Sequence, residues 1–174
     1  MTTEAVQKGV ASDGHGTVLW VPAIADLTKP TIAELTAETV IALTYGLATD
    51  GFDHQTNITK ITTGRYTLDQ ALKLDGKIED TVTLKWVYNR TTPTAVETSL
   101  GTPGTAGNIV KILGYENGFT ISETTKINAI IPVETSIPID VPPTENTELM
   151  KQMELNVTGK VRREHEITVQ TTAG

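Results

Sequence analysis

VLWVPAIADLTKPTIAEL, residues Val18 to Leu35, carries the densest structural signal in the chain. Val18, Leu19 and Val21 flank a tryptophan in a short apolar run, which reads with Thr17 as a strand from Thr17 to Val21. Pro22 ends it, and AIADLTKP reads as a loop. Thr31 followed three residues later by Glu34, just ahead of Leu35, is a capping-box pattern, and Pro30 suits a helix entrance, so a short helical turn is expected over Thr31 to Glu38. Specific residues are being spent here for a purpose that no visible catalytic motif explains.

The composition narrows the choices. At 174 residues the chain is the size of one domain, with an expected arm at 1–16, a single body at 17–170 and a tail at 171–174. Hydrophobic residues make up 38% and aromatics 5%, and threonine recurs throughout, which favours strands with polar faces over a helical bundle. With no cysteine, disulfide frameworks, thiolate metal sites and cysteine nucleophiles are excluded. The opening MTTEAVQKGVASDGHG shows no basic-then-apolar leader pattern, and no apolar run approaches bilayer length, so synthesis as a soluble protein in a cytoplasm is expected. A net charge of −7 opposes a tight grip on nucleic acid, because phosphate affinity depends on Lys and Arg displacing counterions.

Outward from the first strand, Thr39 to Tyr45 reads as a second. From Leu47 to Asp69 the chain has strand-prone pieces but few large apolar residues, and it reads as an extended, loop-like excursion that needs a partner to bury Ile58, Ile61 and Tyr66. Gln70–Leu74, a DGK turn and Thr81–Tyr88 read as a hairpin. Thr92 as cap, Pro93 in the first helical position, Val96 and Leu100 on one face and Gly101 at the C-terminus mark the one flanking helix. Gly101–Gly107 is a loop and Asn108–Tyr115 a strand. Further strands are expected at Thr120–Ser122, Lys126–Ile139, Glu148–Thr158 and Val161–Gln170, with VPPTEN as a break. In the third of these, Leu149, Lys151, Met153, Leu155 and Val157 alternate with Met150, Gln152, Glu154 and Asn156, so one face is mainly apolar and the other polar.

No constellation supports catalysis, a metal or a cofactor. GTPGTAGN lacks the Gly-Lys-Ser/Thr ending of a phosphate loop and reads as a surface loop. His15, His54 and His165 stand beside carboxylates at spacings diagnostic of neither a metal site nor a triad, and read as surface histidines. Glu79 and Asp80 are adjacent, so on a strand they point to opposite faces. The N-x-T triplets at Asn57, Asn89 and Asn156 follow from the abundance of threonine. KVRREHE, Lys160 to Glu166, mixes signs and reads as a salt-bridge patch rather than a nucleic-acid site.

VPAIADLTKPTIAEL together with PVETSIPIDVPPTENTELMKQMELNVTG resembles the tail tube (major tail) proteins of long-tailed bacteriophages, particularly those infecting actinobacteria. TLKWVYNRTTPTAVETSL between them resembles that family's strand, turn and single helix. The resemblance implies a β-sandwich or half-barrel with one flanking helix and a long inter-subunit loop, assembled as stacked hexameric rings around a channel. It implies a virion structural protein and no enzyme, with a tape measure protein inside the tube, and tail terminator and distal tail proteins at its ends. DNA would pass without specific binding, and no membrane is involved. Glu134, Glu154 and Asn156, on polar strand faces, are the lumen candidates. Lys160, Arg162 and Arg163 are expected away from the lumen or paired. The chain departs from the family in the Ile-, Thr- and Lys-bearing stretch Asn57–Tyr66, where more acidic residues are expected, and no appended immunoglobulin-like C-terminal module is expected. Two other readings stand beside it: an extracellular β-sandwich binding module, which would want an export signal and a cluster of exposed aromatics where only Trp20, Trp86 and a few tyrosines are available, and the inner tube of a contractile device.

Overall fold

The computed structural model describes residues 5–172; the first four residues of the expected arm and the last two of the tail lie outside the described residues. Among the described residues nine strands and two short α-helices follow one another: β1 Gly16–Val21, α1 Ile32–Leu35, β2 Ile41–Ala42, β3 Leu47–Thr63, β4 Leu72–Val87, α2 Ala95–Leu100, β5 Ala106–Leu113, β6 Ala129–Glu134, β7 Ile139–Asp140, β8 Met150–Val157 and β9 Arg162–Arg163. The fold is mostly β, as composition and resemblance both require. The chain divides into two compact units, one of Met1–Gly46, Ala106–Pro132 and Gly159–Gly174, the other of Leu47–Thr105 and Val133–Thr158.

In the first unit β1 pairs antiparallel with β2 on one side and β5 on the other, Leu19 opposite Val110 and Trp20 opposite Ile109. Val18 to Val21 are all buried, which is why the run is apolar without alternation: both faces of β1 are covered. Leu19, Val21, Leu35, Val110, Ile112, Ile127, Ile130 and Val169 form the core. Trp20 lies across Gly107, whose missing side chain makes room for the indole. The capping box forms as expected. Thr31 Oγ1 accepts from the Glu34 N–H at 3.2 Å, while the Glu34 carboxylate accepts from the Thr31 N–H and the Ala25 N–H, each at 2.8 Å. Burial pushes the Glu34 carboxyl up, but those hydrogen bonds outweigh it and hold it below its ordinary value. The capped turn therefore fastens the proline-punctuated loop back on itself. The far end of the chain closes this unit through a parallel bridge between Thr31 and Gln170, with the Thr168 N–H donating to Thr28 O and the Gln170 N–H to Pro30 O.

In the second unit β4 pairs antiparallel with both β3 and β8, Val133 and Glu134 of β6 pair with β8, and β7 pairs with β8. Val82, Leu84 and Trp86 of β4 and Met153 and Leu155 of β8 alternate inward and are buried, with Val96 and Leu100 of α2. The Glu97 carboxylate accepts from Trp86 Nε1–H at 2.5 Å and Lys151 Nζ at 2.8 Å, and the Lys151 ammonium stands 4.2 Å from the centre of the Tyr88 ring. The hydrogen bond to Glu97 raises the Lys151 ammonium above its ordinary value against the opposing effect of burial. Replacing Glu97 with alanine leaves an indole N–H and an ammonium in a poorly solvated place without their shared acceptor. A loss of about 2–3 kcal/mol is expected in urea unfolding followed by Trp86 fluorescence.

Several expected boundaries shift. The second strand is only Ile41–Ala42, and Val161–Gln170 holds just the two residues of β9, a 3-10 turn at Glu164–Glu166 and the bridge at Gln170. No strand covers Thr120–Ser122, and Lys126–Ile139 contributes only Ala129–Glu134 and the first residue of β7. Helix α2 is capped by Thr94, not Thr92, its hydroxyl accepting from the Glu97 N–H, and Gly101 has a right-handed φ of −69°. His54 is not a surface histidine: its side chain is 6% exposed, with Nε2 3.0 Å from Asp80 Oδ1, to which the Thr56 hydroxyl also donates.

Candidate assembly surfaces

The largest correction concerns Leu47–Asp69. It is no loop: β3 runs through Leu47–Thr63 and pairs with β4 from Phe52–Leu84 out to Thr63–Leu72. DGK is likewise not the turn, because Asp75, Gly76 and Lys77 lie inside β4, and the chain reverses between Thr63 and Leu72. The excursion lacks a private core, as its composition indicates, but a ladder and cross-strand pairs order it instead: Ile58 faces Ile78, and Ile61 faces Leu74. A register shift separates these pairs, with Gly76 placed where a side chain would strike the Thr59 carbonyl and Ile61.

The outer half of this hairpin is apolar and uncovered. Ile58, Ile61, Leu72, Leu74 and Ile78 are between 38% and 58% exposed, and Tyr66 in the turn is 98% exposed. Ile58, Ile61 and Tyr66 were the residues singled out in the sequence. Leu72, Leu74 and Ile78 were missed, though their spacing mirrors Ile58 and Ile61 across the turn. At the tip the Leu68 N–H donates to Arg65 O, and Thr67, a β-branched residue, holds a φ of 59° where a turn of this kind wants glycine.

The other surface is the polar face of the second unit's strands. Asp53, Thr83 and Glu154 stand in one row across β3, β4 and β8, and Glu134 faces Asn156 across β6 and β8. Since Glu154 and Asn156 alternate on one strand, all three lumen candidates share this face, joined by Gln55, Thr81 and Gln152. Lys85, also on it, is engaged by Asp50 at 3.0 Å. Among the expected cations, Lys160 and Arg162 both meet Glu166, at 2.8 and 3.6 Å. Lys160 foremost, with the Arg163 N–H, pulls the Glu166 carboxyl down to about 2. Among the described residues no helix is long and apolar enough to cross a membrane.

A family model described as phage tail tube protein matches residues 3–169. The chain belongs to the phage tail tube protein family. Two solved structures are similar to this tail tube protein. One is the baseplate of the anti-feeding prophage, six-fold symmetrised, at 10% identity, covering 94% of this chain and 98% of that one with a TM-score of 0.48. The other is the tube-terminating cap of the anti-feeding prophage, at 15% identity, covering 93% and 96% with a TM-score of 0.49. A search of curated proteins found no match. As a member of this family the chain is a structural component of a virion tail.

Proposed function

We propose that copies of this tail tube protein form six-membered rings that stack into the conduit through which DNA leaves the virion. The observation that carries this reading is the polar four-strand face. β3, β4, β8 and the end of β6 set Asp53, Glu134, Glu154 and Asn156 on one side and bury Val82, Leu84, Met153 and Leu155 on the other. A sheet with a dry side and a weakly acidic wet side suits a barrel wall, and β3 is an edge strand whose outer ladder is open to a neighbour's edge. Along such a wall DNA meets carboxylates and amides, and the cation Lys85 is already engaged by Asp50, so phosphates find little to bind. The uncovered outer half of the hairpin, with Ile58, Ile61 and Tyr66, is the axial contact between rings. A tape measure protein would occupy the lumen during assembly, with terminator and distal tail proteins on the ends. Electron microscopy of the concentrated protein tests this: annular particles and tubes are expected, and a strictly monomeric species by light scattering at all concentrations would overturn it.

A further inference from the structure

We propose that the hairpin tip docks into a specific groove on the first unit of a second copy, with Tyr66 seated in the groove and Arg65 against its two glutamates. This rests on the stacking reading above and names the receptor surface for it. The groove, about 690 Å³, lies between the segment Glu123–Lys126 and the segment Glu164–Val169, with Ile167 and Val169 contributing apolar lining and Thr124 and Thr168 polar lining. That volume is in the range that takes a bulky side chain and part of its neighbour.

Charge selects the occupant. Residues 58–78 contain Lys60, Arg65, Lys73 and Lys77 against Asp69 and Asp75, a net +2 in a chain whose total is −7. Tip against tip would therefore repel, while tip against the remainder of a second copy attracts. Glu123 and Glu164 supply two carboxylates on the groove, beside the ammonium of Lys126 and the imidazole of His165. Their hydrogen bonds come from neutral groups: Thr171 donates to Glu123, and Asn128 Nδ2 to Glu164 at 3.4 Å. Arg65 in turn spends its guanidinium on the adjacent Gly64 carbonyl at 2.9 Å. Tyrosine and arginine side by side are the residue types that anchor interfaces. They stand on a turn whose threonine is held in a left-handed conformation, a cost that marks a shape kept for use.

With Tyr66 replaced by p-benzoylphenylalanine, illumination of assembled protein is expected to give covalent dimers. Mass spectrometry should map the adduct from position 66 of one chain to residues 123–126 or 164–169 of another. Arg65→Glu should raise the critical concentration for elongation at least tenfold while circular dichroism stays unchanged, and Glu123→Arg with Glu164→Arg should do the same. Combining Arg65→Glu with the two reversed glutamates should bring the value back to within about threefold of the parent. Adducts mapping elsewhere or within one chain, or normal elongation of Arg65→Glu, would overturn the docking while leaving a tube-forming protein. If the unaltered chain formed neither rings nor tubes, the stacking reading itself would fall.

Discussion

A chain in which Ile58–Ile78 is replaced by Asn-Gly, linking Asn57 to Glu79 through a two-residue turn, will fold and form rings but no tubes. Asn57 and Glu79 are register partners, so a two-residue reversal between them preserves the ladder inward of that pair. The excised part is a two-stranded ribbon with half-exposed apolar side chains, a structure that contributes little to a fold it does not pack against. Unfolding free energy should therefore change by no more than about 1 kcal/mol. The proposed axial contact, by contrast, is removed entirely, and elongation measured by turbidity and electron microscopy should fall by at least about a hundredfold, the loss of roughly 3 kcal/mol per contact. Tubes of normal length from this variant would show that the hairpin is not what joins the rings.

Gly51→Ala will have the opposite character, damaging the fold itself. Gly51 is buried in the register shift between the Leu47–Trp86 and Phe52–Leu84 pairs, and a Cβ there would press on the Lys85 carbonyl and on both the N–H and carbonyl of Ala48. These are backbone atoms of the two strands that start the hairpin, so none can swing aside as a side-chain tip would. A cost of about 3 kcal/mol or more is expected in urea unfolding, at the upper end of overpacking effects. A change under about 1 kcal/mol would mean the bulge relaxes freely and does not aim the hairpin.

The elements that could be read from the sequence are those whose local chemistry is complete within a few residues. Thr31 and Glu34 cap α1 with each other, and Met153 and Leu155 alternate with Glu154 and Asn156, so helix start and buried face were both legible. The shared face of Glu134, Glu154 and Asn156 follows from that same alternation. The hairpin was legible only in its residues. Ile58, Ile61 and Tyr66 stood out as lacking a core, but the partner that orders them, Leu72–Ile78, lies beyond a turn placed wrongly at Asp75–Lys77. A sequence cannot show that Gly76 belongs to a bulge, because a glycine after aspartate signals a turn equally well. His54 and Asp80, 26 residues apart, could not be paired before the register of β3 on β4 was known. The long pairs that fix Trp86, Glu97 and Lys151 were hidden for the same reason.

The register of β4 has a mechanical consequence. In a stacked assembly, tension or thrust delivered at the tip travels down both strands of the hairpin and leaves β4 through its ladder with β8, from Val82–Leu155 to Val87–Met150. Force along the strand axis loads those rungs in shear, so they share it at once, whereas a sideways pull would open them one after another like a zip. The ribbon beyond them, one ladder thick and jointed at Gly76, flexes far more easily than it stretches. A conduit linked by such struts would hold its length under axial load and yield to curvature.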